Sequence, residues 1–89
     1  SINLPDWLWE LTSLKSLDLS GNEFSTIPDL SKLNKLEHLN ISWNENLKSI
    51  PEISYDELKI LRITWCDNTT PPIEEFKSNN INLYRSSNL

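Results

Sequence analysis

Ser16, Asp18 and His38 are the residue types of a nucleophile, an orienting carboxylate and a general base. Such a set performs acyl transfer when a pocket and an oxyanion hole surround the reacting carbonyl. Neither accompanies them here, because the three fall on short alternating segments that read as a solvent-open sheet, where His38 serves better as a polar contact. Gly21 is the single glycine, so no phosphate cradle or dinucleotide fingerprint can be built. Cys66 and His38 are the only thiol and the only imidazole, and far apart in the chain they leave a zinc site short of donors. The sequence predicts a chain that is no enzyme and holds no cofactor or metal. Contact chemistry remains: Trp43, Trp65, Arg62, Ile60 and Tyr84 offer apolar area with cationic or hydrogen-bonding capacity, as anchors of protein interfaces do.

A repeat positions these residues. Leu14, Leu36 and Leu58 recur at every 22nd position and open one phrase: Leu14-x-x-Leu17-x-Leu19-x-x-Asn22, Leu36-x-x-Leu39-x-Ile41-x-x-Asn44 and Leu58-x-x-Leu61-x-Ile63-x-x-Cys66. A second apolar series, Leu4, Ile27, Ile50 and Ile73, recurs at every 23rd position, with Pro5, Pro28 or Pro51 directly after the first three. A degraded fourth phrase puts Ile81 and Leu83 at the two strand positions, Ser78 in place of the opening Leu and Ser86 in the Asn column. Residues 1–89 thus read as one domain of about three repeats and a partial fourth, with strands near 15–19, 37–41, 59–63 and 80–84. Trp7 and Trp9 either cap the first coil or await a neighbour, so the chain is expected to be a fragment of a longer array.

The phrase resembles the leucine-rich-repeat family over most of the chain, and its flavour is similar to repeats of plant nucleotide-binding immune receptors and bacterial effectors. The resemblance implies an α/β solenoid, with a short parallel sheet on the concave face and irregular loops or turns on the convex face. Proline cannot donate to a ladder and follows extended backbone, which suits that outer path. Asn22, Asn44 and Cys66 then form a structural ladder, the amides serving backbone groups that have left the sheet. Cys66 reads as a buried small thiol without chemistry of its own.

Alternation in each strand sends Leu17 and Leu19 inward and their neighbours to solvent. Four solvent-facing columns follow: Ser16, His38, Ile60 and Asn80; Asp18, Asn40, Arg62 and Asn82; Ser20, Ser42, Thr64 and Tyr84; Gly21, Trp43, Trp65 and Arg85. The expected partner surface is Trp43, Trp65, Arg62, Ile60, His38, Tyr84, Asn40 and Asp18. Asp18 and Arg62, two coils apart at roughly 10 Å, are too distant to pair directly. The function implied is a non-catalytic protein–protein interaction module, a scaffold that binds through the concave sheet and its tryptophan edge. The alternative is a structural or assembly segment of a larger receptor, effector or adaptor, stacking end to end on itself or a neighbour.

Charge narrows the partner class. A net charge of −5 opposes nucleic acid, whose binding needs clustered Lys and Arg. No apolar run approaches the roughly 20 residues of a membrane span, so no membrane insertion is expected. One cysteine makes no internal disulfide, which points to a cytoplasmic, reducing setting. Asn40-Ile41-Ser42 and Asn68-Thr69-Thr70 match glycosylation acceptors and point the other way.

Overall fold

Leucine at every 22nd position places one inward side chain in the same place on each coil, and a three-residue strand forms around it. These strands are β1 (Ser16–Asp18), β2 (His38–Asn40), β3 (Ile60–Arg62) and β4 (Asn82–Tyr84). The computed structural model describes residue 8, residues 10–64, residue 66 and residues 72–85. Within them the strands make one parallel sheet in the order β1-β2-β3-β4. Leu17, Leu39, Leu61 and Leu83 stand side by side, flanked by Ser16, His38, Ile60 and Asn82 on one side and Asp18, Asn40, Arg62 and Tyr84 on the other. The ladder repeats with the sequence: Leu19, Ile41 and Ile63 donate their amides to the carbonyls of Asn40, Arg62 and Tyr84 at 2.8, 2.9 and 2.8 Å.

Before each strand the chain turns on leucines spaced by three. Leu33 donates to the Leu30 carbonyl and Leu36 to that of Leu33, at 3.0 and 3.2 Å, and the first coil repeats this with Leu8, Leu11 and Leu14. Three-residue spacing keeps successive side chains on one side of such turns, and Leu30, Leu33 and Leu36 are all buried. They join Leu39, Ile41, Leu47, Leu58, Leu61 and Ile63 in one core. Each fully buried aliphatic side chain contributes about 2 kcal/mol by leaving water. The central coil, covered on both sides, is the best buried, whereas Leu14 and Leu17 in the first coil are only partly so.

The fourth repeat departs from the expected phasing. A helix, α1 (Ile73–Ser78), precedes β4 on the outer path, where loops and turns alone were expected. Ile73, the last of the second apolar series, is 38% exposed at the start of α1, and Phe76 three residues on is buried. Asn80, at φ 58, then lets the chain re-enter the sheet, and Ile81 rather than Asn80, the residue in step with Leu58, supplies the buried anchor. Leu83 pairs with Leu61, Asn82 with Ile60 and Tyr84 with Arg62. The expected columns had put Asn80 beside Ile60, Asn82 beside Arg62 and Tyr84 beside Thr64; each was two residues out of register. Among the described residues no helix is long and apolar enough to cross a membrane.

Candidate functional site

The concave face forms a shallow groove of about 250 Å³ over β1, β2 and β3, lined by Ser16, Asp18, His38, Asn40, Ile60 and Arg62 with the leucine row as its floor. Tyr84 continues the row of Asp18, Asn40 and Arg62 onto β4. The sheet thus brings together Asp18, His38, Asn40, Ile60, Arg62 and Tyr84 of the expected contact surface. Trp65 lies outside the described residues, as do Trp7, Trp9, Asn68 and Ser86.

The row from Asp18 to Tyr84 divides into two kinds of work. Asp18 Oδ1 accepts from the Ser20 amide at 2.9 Å and from the Ser20 hydroxyl at 2.5 Å. Asn40 Oδ1 accepts from the Ser42 amide at 3.0 Å, the same turn one coil on. An Asx side chain that bonds its own backbone two residues later closes the strand end. Arg62 has no acceptor to offer there, and the Thr64 amide donates instead to Ser42 Oγ at 3.0 Å. Relieved of that task, the Arg62 guanidinium lies over the Tyr84 ring, 4.7 Å from its centroid, a cation–π contact that orients the cation. Asp18 and Asn40 therefore have a structural role that was not foreseen. Ser20 and Ser42 could have revealed it, since an Asx residue followed two positions later by Ser is a turn signature.

Asp18 is ionised at lower pH than an ordinary carboxylic acid. The Ser20 hydroxyl and then its amide stabilise the carboxylate, against a small opposing effect of burial. His38 is exposed beside Ser16 and Ile60, and no hydrogen bond among the described residues joins it to Ser16 or Asp18. Asp18 is instead committed to Ser20, so the residue types of an acyl-transfer set are present without its connections. Among the described residues no three of His, Cys, Asp and Glu converge to hold a metal ion.

Trp43 stands at the edge of the sheet, 56% exposed. Its φ is 63°, and Gly21, at the same place in the preceding repeat, has φ 70°. Their amides make the same bond, Gly21 to the Ser42 carbonyl at 3.0 Å and Trp43 to the Thr64 carbonyl at 2.9 Å. The fold thus asks for left-handed backbone here, which glycine adopts freely and a bulky side chain adopts at a cost. The next residue is the ladder. Asn44, fully buried, donates Nδ2 to the carbonyls of Leu19, Ile41 and Ser42 at 3.1, 2.8 and 3.2 Å and accepts the Phe24 amide at 2.9 Å. Among the described residues Asn22, on the first coil, reaches Leu19 and Ser20, both of its own coil. Cys66 donates its thiol to the Ile41 carbonyl at 3.1 Å.

The family described as Leucine Rich repeats (2 copies) matches residues 12–55. Disease resistance protein RFL1 of Arabidopsis thaliana is 44% identical over 62 residues, 67% of this chain and 7% of the relative. Disease resistance RPP13-like protein 2 of the same plant is 37% identical over 68 residues, 64% of this chain and 8% of the relative. A third Arabidopsis thaliana disease resistance protein is 32% identical over 75 residues, 83% of this chain and 4% of the relative. The chain spans less than a tenth of the length of these relatives. No solved structure matches it significantly.

Proposed function

We propose that this chain, which belongs to the leucine-rich-repeat family, is a non-catalytic recognition segment that binds a protein partner through its concave sheet and through Trp43 at the sheet's edge. Repeats of this family are protein-interaction modules, and the likeness to disease resistance proteins supports a recognition role within a larger plant resistance receptor. The cytoplasm is its proposed setting, because Cys66 is the single cysteine and makes no internal disulfide.

The observation that carries the reading is the exposed tryptophan on left-handed backbone. Folding alone favours glycine at such a position, as at Gly21. A bulky aromatic side chain that is strained and half in water is a poor contribution to a core, and strain of this kind gathers at sites of function. It is a good contribution to an interface, where tryptophan is the residue most enriched among energetic anchors.

Trp43→Gly separates the two roles, since glycine suits the backbone. Quantitative affinity capture with the native chain and the variant, both shown folded by circular dichroism, tests the reading. The expected result is a partner held by the native chain and weakened about 30-fold or more in the variant. Identical capture by both chains would remove Trp43 from the site.

A further inference from the structure

Asn40 and Arg62 are register neighbours on β2 and β3, and both line the concave groove. What each can offer a partner follows from what the fold has already used. Asn40 Oδ1 accepts the Ser42 amide, so its acceptor is spent on the turn and the Nδ2 donor remains. Arg62 carries donors alone. Its guanidinium lies over the Tyr84 ring, 4.7 Å from the centroid, and a ring attracts the charge but supplies no lone pair to the N–H groups. Among the described residues no oxygen accepts from the Arg62 guanidinium or from Asn40 Nδ2.

Two neighbouring strands thus present donors side by side, one of them cationic, and the group that complements them is an anionic acceptor. The backbones of β2 and β3 are paired in the sheet, which leaves them no nest of amides of the kind that captures a terminal carboxylate. A carboxylate side chain, received by side chains, is the fitting form. Guanidinium binds such a group through two parallel bonds. Asp18 sets the polarity of the groove: it lies on the far side of Asn40 from Arg62, and its charge repels a carboxylate from the β1 end. Ile60, on the same face of β3 and on the groove's lining, adds apolar surface for the methylene part of the incoming side chain.

We propose that the concave groove, at its Arg62 end, receives an aspartate or glutamate side chain of a protein partner, held by the Arg62 guanidinium on its Tyr84 support with Asn40 Nδ2 donating alongside. The proposal rests on the concave face being the partner surface and adds the chemistry which that face selects.

Display libraries of short random peptides are the probes, one anchored at both ends so that no free carboxyl terminus is present and one with free C termini. Selection on the immobilised chain should enrich Asp or Glu at one position of the doubly anchored library. Selection on Arg62→Gln should lose that enrichment, and selection on Arg62→Glu should reverse it to Lys or Arg. A selected peptide, made acetylated and amidated, is then titrated into the nitrogen-15-labelled chain, whose arginine Nε signals include one that Arg62→Gln removes. That signal should shift on binding, and Arg62→Gln should weaken the peptide about tenfold. Tyr84→Phe, which keeps the ring, should bind like the native chain, whereas Tyr84→Leu should bind several-fold more weakly. Asp18→Asn, which keeps the turn as Asn40 does, should tighten binding about twofold at low salt.

Failure to select any peptide, absence of acidic enrichment, enrichment that survives Arg62→Gln, or selection confined to free C termini overturns the proposal. So does weaker binding by Asp18→Asn. If acidic selection fails while Trp43→Gly still releases a captured partner, the carboxylate site falls and the concave-edge function stands. Acidic selection with the expected dependence on Arg62, but identical capture by the native chain and Trp43→Gly, supports the groove and removes the tryptophan.

Discussion

Asn44 and Cys66 occupy the same place in consecutive repeats, and each donates from its side chain to a carbonyl 25 residues earlier at 3.1 Å, Asn44 to Leu19 and Cys66 to Ile41. This side-chain bond recurs from coil to coil and adds to the backbone ladder between them. Asn44 does more because an amide carries two donors and an acceptor: it also serves Ile41, Ser42 and Phe24. A thiol has one weak donor, which Cys66 gives to the preceding coil.

Replacing Asn44 with Ala should therefore destabilise the chain by about 3 kcal/mol, since several buried backbone groups lose their partner at once. Cys66→Ala should cost about 1 kcal/mol, for one weak donor and a small cavity. Urea denaturation of both variants checks the order, and a Cys66 variant that costs as much as Asn44→Ala would contradict it.

Gly21 isolates the backbone cost at the position that Trp43 shares. A Cβ placed there meets nothing within 4 Å, so Gly21→Ala should lose about 1 kcal/mol through its positive φ alone. A melting-temperature comparison decides it, and an unchanged melting temperature would show that the left-handed position carries no strain.

Acid should weaken the fold through Asp18. Its folded carboxyl is held below the ordinary range, first by the Ser20 hydroxyl and then by the Ser20 amide, so on acidification the unfolded chain takes up the proton before the folded one. The contribution is complete above the unfolded value, about 3.9, and is lost as the pH falls through the folded value. Asp29 behaves likewise through the Ser31 hydroxyl and amide. Ser20→Ala should raise the Asp18 value and flatten the acid side of the stability profile, as side-chain carbonyl resonances followed against pH will show.

Tyr55 should show the reverse dependence. Burial first, then the charge and hydrogen bonding of Glu75, raise its phenol above the ordinary range. The folded chain then holds this proton longer than the unfolded one, so stability is complete below the unfolded value and lost as pH rises through the folded one. Glu75→Gln should lower the phenol's value in an ultraviolet titration. Phe76, buried and edge-on to Tyr55 at 5.9 Å, anchors α1, and Phe76→Ala should cost about 3 to 4 kcal/mol.

The sequence by itself determined the repeat and its period, the inward row of Leu17, Leu39 and Leu61, the ladder column of Asn22, Asn44 and Cys66, and the outward neighbours of three strands. Each follows from local alternation and a fixed period, which need no knowledge of distant contacts. Tertiary structure decided the fourth coil. There α1 and the left-handed Asn80 take the place of the outer turn, and Phe76, Ile81 and Leu83 pack against the preceding coil with Leu83 kept 22 residues after Leu61, a step that the Ile81 and Leu83 phrase obscured. Because side chains alternate along a strand, that register places Tyr84 beside Arg62 rather than beside Thr64. The cation–π pair of Arg62 and Tyr84 joins residues of two coils, and neither phrase read alone shows it.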